Sequence, residues 1–170
     1  MVRSHPRPPI PEFKRSEVVI TPHALVGAGL ATSTDNYYLA FLLGFISHFF
    51  VDMIPHLDPG TFFVHKNQKW PTWVYVYTFS EIIIFPIIFY FLFRNRADFA
   101  IIGVGALGGI GVDLVDSNPF IYFLRKWPVF RQLHWLHDKL HFFIKAKYWY
   151  WGLLNELIVT GGMIWYLLKF

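Results

Sequence analysis

Histidine and aspartate recur in this chain at spacings that suit metal coordination. His48 and Asp52 are four residues apart in Ser-His-Phe-Phe-Val-Asp, and His56 and Asp58 follow just beyond Pro55. Asp113 and Asp116 are three apart, while His134, His137, Asp138 and His141 share a later segment. His23 stands early, in Thr-Pro-His. Residues three or four apart on a helix share a face, with Cβ atoms about 5–6 Å apart. Each pair can therefore offer two donors to one ion, or form an ion pair. The absence of cysteine removes disulfides, iron–sulfur clusters and thiolate zinc sites. A metal here must be held by nitrogen and oxygen, which points to a divalent ion, Zn²⁺ first, with Mn²⁺ or Fe as alternatives.

The elements that carry these residues are apolar. Of 170 residues, 55% are hydrophobic, 21% aromatic and only 15% charged, with a mean hydropathy of +0.39. A soluble domain carries about 25% charged residues, so the composition excludes both disorder and a water-soluble monomer. The net charge of +4 reads as membrane topology rather than a nucleic-acid surface. The expected fold is all-α: a polytopic membrane bundle of four to five transmembrane helices with one interfacial amphipathic helix.

A hydrocarbon core about 30 Å thick needs roughly 20 apolar residues of helix. Segments 71–93, 97–115 and 149–168 meet that need, 37–54 is slightly short, and 18–31 is shorter still. Residues 1–17, rich in proline, form an expected flexible cytoplasmic tail ahead of a single helical domain over 18–170. Trp70 and Trp73 open the third helix and Tyr148 to Trp151 the last, as interfacial aromatic belts do. Gly105 and Gly109 form a small-xxx-small pair that permits close helix approach. If the first helix crosses, one side receives twelve basic residues and the other three; if it does not, the split is seven against eight. The positive-inside rule favours five crossings of the cell's inner or plasma membrane, with the N-terminus in the cytoplasm.

Chain direction then brings the candidates together. The first two helices form an antiparallel hairpin and the fourth runs parallel to the second. His23, His48, Asp52, Asp113, Asp116 and the His-rich segment therefore fall at one end of the bundle. His48 lies about 9 Å inside its helix end, with Glu156 at comparable depth, and an ionisable group in hydrocarbon demands a partner. Segment 128–145 reads as an amphipathic helix, with Val129, Leu133, Leu136 and Leu140 in one sector and His134, His137 and His141 in the next. Such a helix would roof the bundle end with its histidines turned inward.

Each signal also has a plainer reading. His48 and Asp52 could be a hydrogen-bonded pair joining helices, and His23 an interfacial residue at a helix start. Asp113 and Asp116 could cap a turn, and the His stripe could be solvated. Glu81, near the bilayer centre, reads as a structural carboxyl, whereas Glu156 is open between ligand and supporting roles.

Thr-Pro-His-Ala-Leu-Val-Gly-Ala-Gly-Leu, followed by Leu-Leu-Gly-Phe-Ile-Ser-His-Phe-Phe-Val-Asp-Met-Ile-Pro-His-Leu-Asp, resembles membrane-bound metal-dependent hydrolases. That group includes the LexA-binding inner-membrane-associated hydrolases and is distantly similar to zinc-dependent phospholipase C-like proteins. The resemblance covers residues 21–58 and, more loosely, the span ending Val-Asp-Leu-Val-Asp. It implies metal ligation by His23, His48, Asp52 and His56, with Asp113 and Asp116 matching the acidic end of a later helix. A His-Arg-x-x-Thr-His box is absent, and His-Trp-Leu-His-Asp-Lys-Leu-His stands in the long loop instead.

The expectation is a membrane-embedded hydrolase acting on an ester or phosphoester, with a lipid substrate suggested by location. Its metal would be held among His23, His48, Asp52, His56, Asp113 and His134, with Asp116, Glu156 or His137 moving protons. The expected partners are the bilayer and a lipid or phosphoester substrate, with no nucleic acid. The alternatives are a non-enzymatic metal-binding transporter or scaffold, and a di-iron desaturase or hydroxylase, although the adjacent His-His pairs of the latter are missing.

Overall fold

The computed structural model describes residues 19–57, 71–116, 124, 127–142 and 144–170. The expected tail, Asp58 and the side chain of Asp116 lie outside the described residues. Among those described the chain is all-helical, with helices α1 (Ile20–Ala31), α2 (Tyr37–Asp52), α3 (Thr72–Phe93), α4 (Phe99–Asp116), α5 (Pro128–Leu140) and α6 (Trp149–Lys169). A 3₁₀ turn over Ala146–Tyr148 leads into α6.

Local chemistry sets the helix ends. Asn36 caps α2, its side chain accepting from the N–H groups of Tyr38 (2.9 Å) and Leu39 (3.1 Å). Pro128 opens α5, where a missing N–H costs nothing. No side chain of its own caps α1; a carboxylate from α3 does so instead. Glu81 Oε2 accepts from Thr21 N (3.0 Å) and Thr21 Oγ1 (2.7 Å), placing negative charge at the positive end of the α1 dipole. That bond accounts for a carboxyl otherwise surrounded by apolar helix.

The centre of the molecule is the packed trio α1, α2 and α4. Glycines let these three backbones touch. A Cβ on Gly44 of α2 would overlap the Gly105 carbonyl of α4, and one on Gly109 would overlap the His23 carbonyl of α1. Around this trio Ile20, Leu25, Phe93, Ile102 and Leu167 close an apolar core. At the end remote from the histidines, Arg96 grips Asp98 through two 2.7 Å bonds and also donates to the Leu167 carbonyl. This ties the α3–α4 turn to α6.

Helices α3 and α6, of 22 and 21 residues, are long and apolar enough to cross a membrane, and only 11% of each apolar window is buried. A core helix of a soluble protein would be covered; these present bare apolar faces. The helices α1, α2 and α4 are apolar but shorter.

The amphipathic helix is shorter than the expected 128–145. It stops at Leu140 because His141 turns extended (φ −77°, ψ 112°) and Phe142 donates its N–H to the Asp52 carbonyl at 3.0 Å. A tertiary hydrogen bond thus replaces the next helical one. Its polar stripe faces the bundle, with His137 buried, while Val129 and Trp135 stand exposed.

The glycine contacts yield a paired test. Gly44→Ala should destabilise the protein by about 1–3 kcal/mol through overpacking. Gly161→Ala, where a Cβ meets open space, should be neutral or stabilising by up to about 1 kcal/mol. Thermal unfolding in detergent micelles reads both.

Candidate metal centre

The hairpin α1–α2 sets the start of one helix beside the end of the other, and α4 ends alongside. His23 comes from the first turn of α1, His48 and Asp52 from successive turns of α2, and Asp113 from the end of α4. His137 and His141 descend from α5 and its exit. His56 is delivered by the turn after α2, which Pro55 prevents from continuing as helix. All seven meet at one end of the bundle.

Burial there is nearly complete: His48 and Asp52 are 0% exposed, His23 1%, Asp113 and His137 3%, and His56 5%. Asp52 is the hub. Its Oδ2 lies 3.2 Å from His48 Nε2 and 3.3 Å from His137 Nε2. Its Oδ1 lies 3.5 Å from His23 Nε2 and 3.8 Å from His141 Nε2. Asp113 Oδ1 stands 3.7 Å from both His48 Nε2 and His137 Nε2.

Two imidazoles have their tautomers fixed by backbone carbonyls, which can only accept. His48 Nδ1 donates to the Gly109 carbonyl at 2.8 Å, and His56 Nδ1 to the Ile54 carbonyl at 2.9 Å. When neutral, each ring presents an Nε2 lone pair, the arrangement by which outer partners orient metal-binding histidines. Burial holds His56 below its ordinary pKa, and burial with the neighbouring His56 brings His141 down to about 3. Both shifts favour the neutral ring, the form that ligation requires.

The contacts are compatible with shared ligation as well as with hydrogen bonding. His48 Nε2 and His137 Nε2 lie 3.4 Å apart, within hydrogen-bonding reach for neutral rings of suitable tautomers, and both face the same Asp52 oxygen. Among the described residues, both Asp52 oxygens and His23 Nδ1 are buried without a hydrogen bond of good geometry, a costly condition unless something else compensates them. Three overlapping groups could hold a metal ion: His23 with Asp52 and His56, His23 with His48 and Asp113, and His48 with Asp52 and His137.

Not every expected residue joins them. His134 is absent from these groups; its Nε2 lies 3.9 Å from Asp138 Oδ2 in a more exposed position. Glu156 is buried, but its Oε1 accepts from Leu57 N at 2.6 Å. Beside it Asn155 Nδ2 donates to the Pro55 carbonyl at 2.6 Å, and a Cβ on Gly152 would collide with the backbone of residues 56–57. One face of α6 thus clasps the turn that carries His56. His137, expected to move protons, sits instead among the metal-capable donors. His141, in the sequence one of a stripe of histidines turned toward the bundle end, lies there with its Nε2 3.8 Å from Asp52 Oδ1, carried by the extended exit from α5 rather than by the helix.

No family model, curated protein or solved structure matches this chain.

The geometry separates neighbouring histidines. His137→Ala should lower bound Zn²⁺ substantially, whereas His134→Ala should leave it unchanged, as read by elemental analysis of protein purified in detergent. Saturating Zn²⁺ at about 1,000 times its Kd should stabilise the folded protein by about 4 kcal/mol, and chelation should reverse that gain in a thermal melt.

Proposed function

We propose that this chain is a multi-pass membrane protein and a metal-dependent hydrolase, acting on an ester or phosphoester of a lipid at the bilayer interface. The observation that carries the reading is the convergence of five imidazoles and two carboxylates on one buried point. The resemblance of residues 21–58 to membrane-bound metal-dependent hydrolases agrees with it. In this reading α1, α2 and α4 cross alongside α3 and α6, local bilayer thinning accommodates the shorter helices, and the metal end faces the cytoplasm.

A bound divalent ion supplies Lewis acidity, polarising the scissile group and acidifying water. The protein does the rest. His48 and His56 hold fixed ring orientations through their carbonyl partners. Glu156 keeps the His56 turn in place, and this favours a positioning role for it over that of general base. His134 lies one turn before His137 on α5, outside the buried cluster and beside Asp138. That pair is the proton-transfer candidate the geometry leaves accessible.

An apolar slot of about 450 Å³ supports a lipid substrate. It lies between α1, α3 and α4 and includes Ile20, Phe85, Phe99 and Leu114. Leu114 is the residue after Asp113 and Ile20 is one turn from His23, so the slot shares α1 and α4 with the cluster, although none of the seven cluster residues lines it. The exposed Val129 and Trp135 on α5 suit the headgroup level.

The wild-type protein in mixed micelles should release fatty acid or phosphate from a phospholipid panel, or cleave a model phosphodiester. Chelator and Asp52→Ala should abolish turnover. His134→Ala should retain the metal yet lower kcat by about 10²-fold or more. Metal-driven flux in proteoliposomes without hydrolysis would establish the transporter alternative instead.

A further inference from the structure

The nitrogens around Asp52 sort by the nearer carboxylate oxygen into two adjoining sets, with His23 also grouping with His48 and Asp113 across the boundary. On the Oδ2 side, His48 Nε2, His137 Nε2 and Asp52 Oδ2 form a triangle with sides of 3.2, 3.3 and 3.4 Å. Tetrahedral bonds of 2.0–2.1 Å place their donors about 3.3 Å apart, so this triangle has the dimensions of one face of a zinc site. Asp113 Oδ1 lies 3.7 Å from both nitrogens and is the next donor of this set. On the Oδ1 side are His23 Nε2 at 3.5 Å and His141 Nε2 at 3.8 Å. His56 completes this second set, since its donor atom and those of His23 and Asp52 all lie within 4.8 Å of one another.

Seven side chains exceed what one zinc ion accepts, because protein zinc sites are almost always four-coordinate. Loading one set alone would satisfy one Asp52 oxygen and leave the other buried among imidazoles without a hydrogen bond. The two sets also come from different elements. The Oδ2 set draws on α2, α4 and α5, whereas the Oδ1 set draws on α1, the turn after α2 and the extended exit from α5.

We infer that this end of the bundle is a dinuclear centre: two divalent ions bridged by the Asp52 carboxylate, one held by His48, His137 and Asp113, the other by His23, His56 and His141. The inference rests on the metal-centre reading above and adds its stoichiometry and division of ligands. Ions sharing such a bridge sit about 3.5–4 Å apart, close enough for their unpaired electrons to couple.

Mn²⁺ is the probe, since its electron paramagnetic resonance spectrum distinguishes an isolated ion from a coupled pair. The full-length protein, stripped with chelator and titrated with Mn²⁺ in detergent, should bind two ions per chain and give an exchange-coupled spectrum. His56→Ala and His137→Ala, lesions in opposite sets, should each leave one ion with an uncoupled signal. Asp52→Asn, close in shape but poor as a bridge, should abolish the coupling. Circular dichroism confirms that each variant folds; should any fail, the wild-type stoichiometry and coupling decide alone. One Mn²⁺ per chain, or two without coupling, would overturn the inference. A single ion in a chain that still cleaves an ester would overturn the bridge and spare the hydrolase. Two coupled ions in a chain inert toward every ester would do the reverse.

Discussion

A carboxylate withdrawn from water must be compensated, and at Asp52 that requirement organises the molecule. Removing an ion from water costs several kcal/mol even after the protein relaxes. Among the described residues, hydrogen bonds of good geometry are missing at both Asp52 oxygens, and what surrounds them is a shell of imidazole nitrogens. Those nitrogens arrive from α1, α2, α5 and the α5 exit, so one requirement couples segments far apart in sequence. The glycine contacts serve the same end. Without backbone contact between α1, α2 and α4, His23, His48 and Asp113 would stand too far apart to share a neighbour.

The hub also explains which polar groups lie elsewhere. Glu81, deep in α3, is bonded to the start of α1, and Arg96 with Asp98 fastens the opposite end. These interactions brace the helices that carry the cluster. Because Arg96 holds Asp98 in its ionised form, the carboxyl stays below its ordinary pKa. The charge-bearing groups therefore sort into a buried centre and a set of struts.

Helix direction and hydrophobic period made much of this legible in the sequence. The antiparallel hairpin and the parallel return of α4 follow from counting segments, and they suffice to bring His23, His48, Asp52 and Asp113 to one end. Gly105 and Gly109 were recognisable as a contact surface from spacing alone. What periodicity could not supply was the behaviour of chain outside helices. His141 reaches the hub because the backbone leaves the helix at that residue, captured by the Asp52 carbonyl through Phe142. Continuing the helix to residue 145 hid that turn. The choice between His134 and His137 likewise depends on the rotation of α5 against its neighbours, which the i, i+3 pattern leaves ambiguous. The grip of α6 on residues 55–57 joins positions about a hundred apart, and a pairing between one carboxylate and one amide N–H leaves no local signature.

That grip bears on the order of biogenesis. The turn bearing His56 is fastened by Asn155, Glu156 and the bare backbone at Gly152, all in a helix that follows the other five along the chain. During translation the early hairpin can emerge and pair, but its exit loop has nothing to dock against until α6 leaves the ribosome. Completion of the pocket is thereby deferred to a late step of folding, and a nascent chain stalled before α6 would carry it open and incompletely furnished.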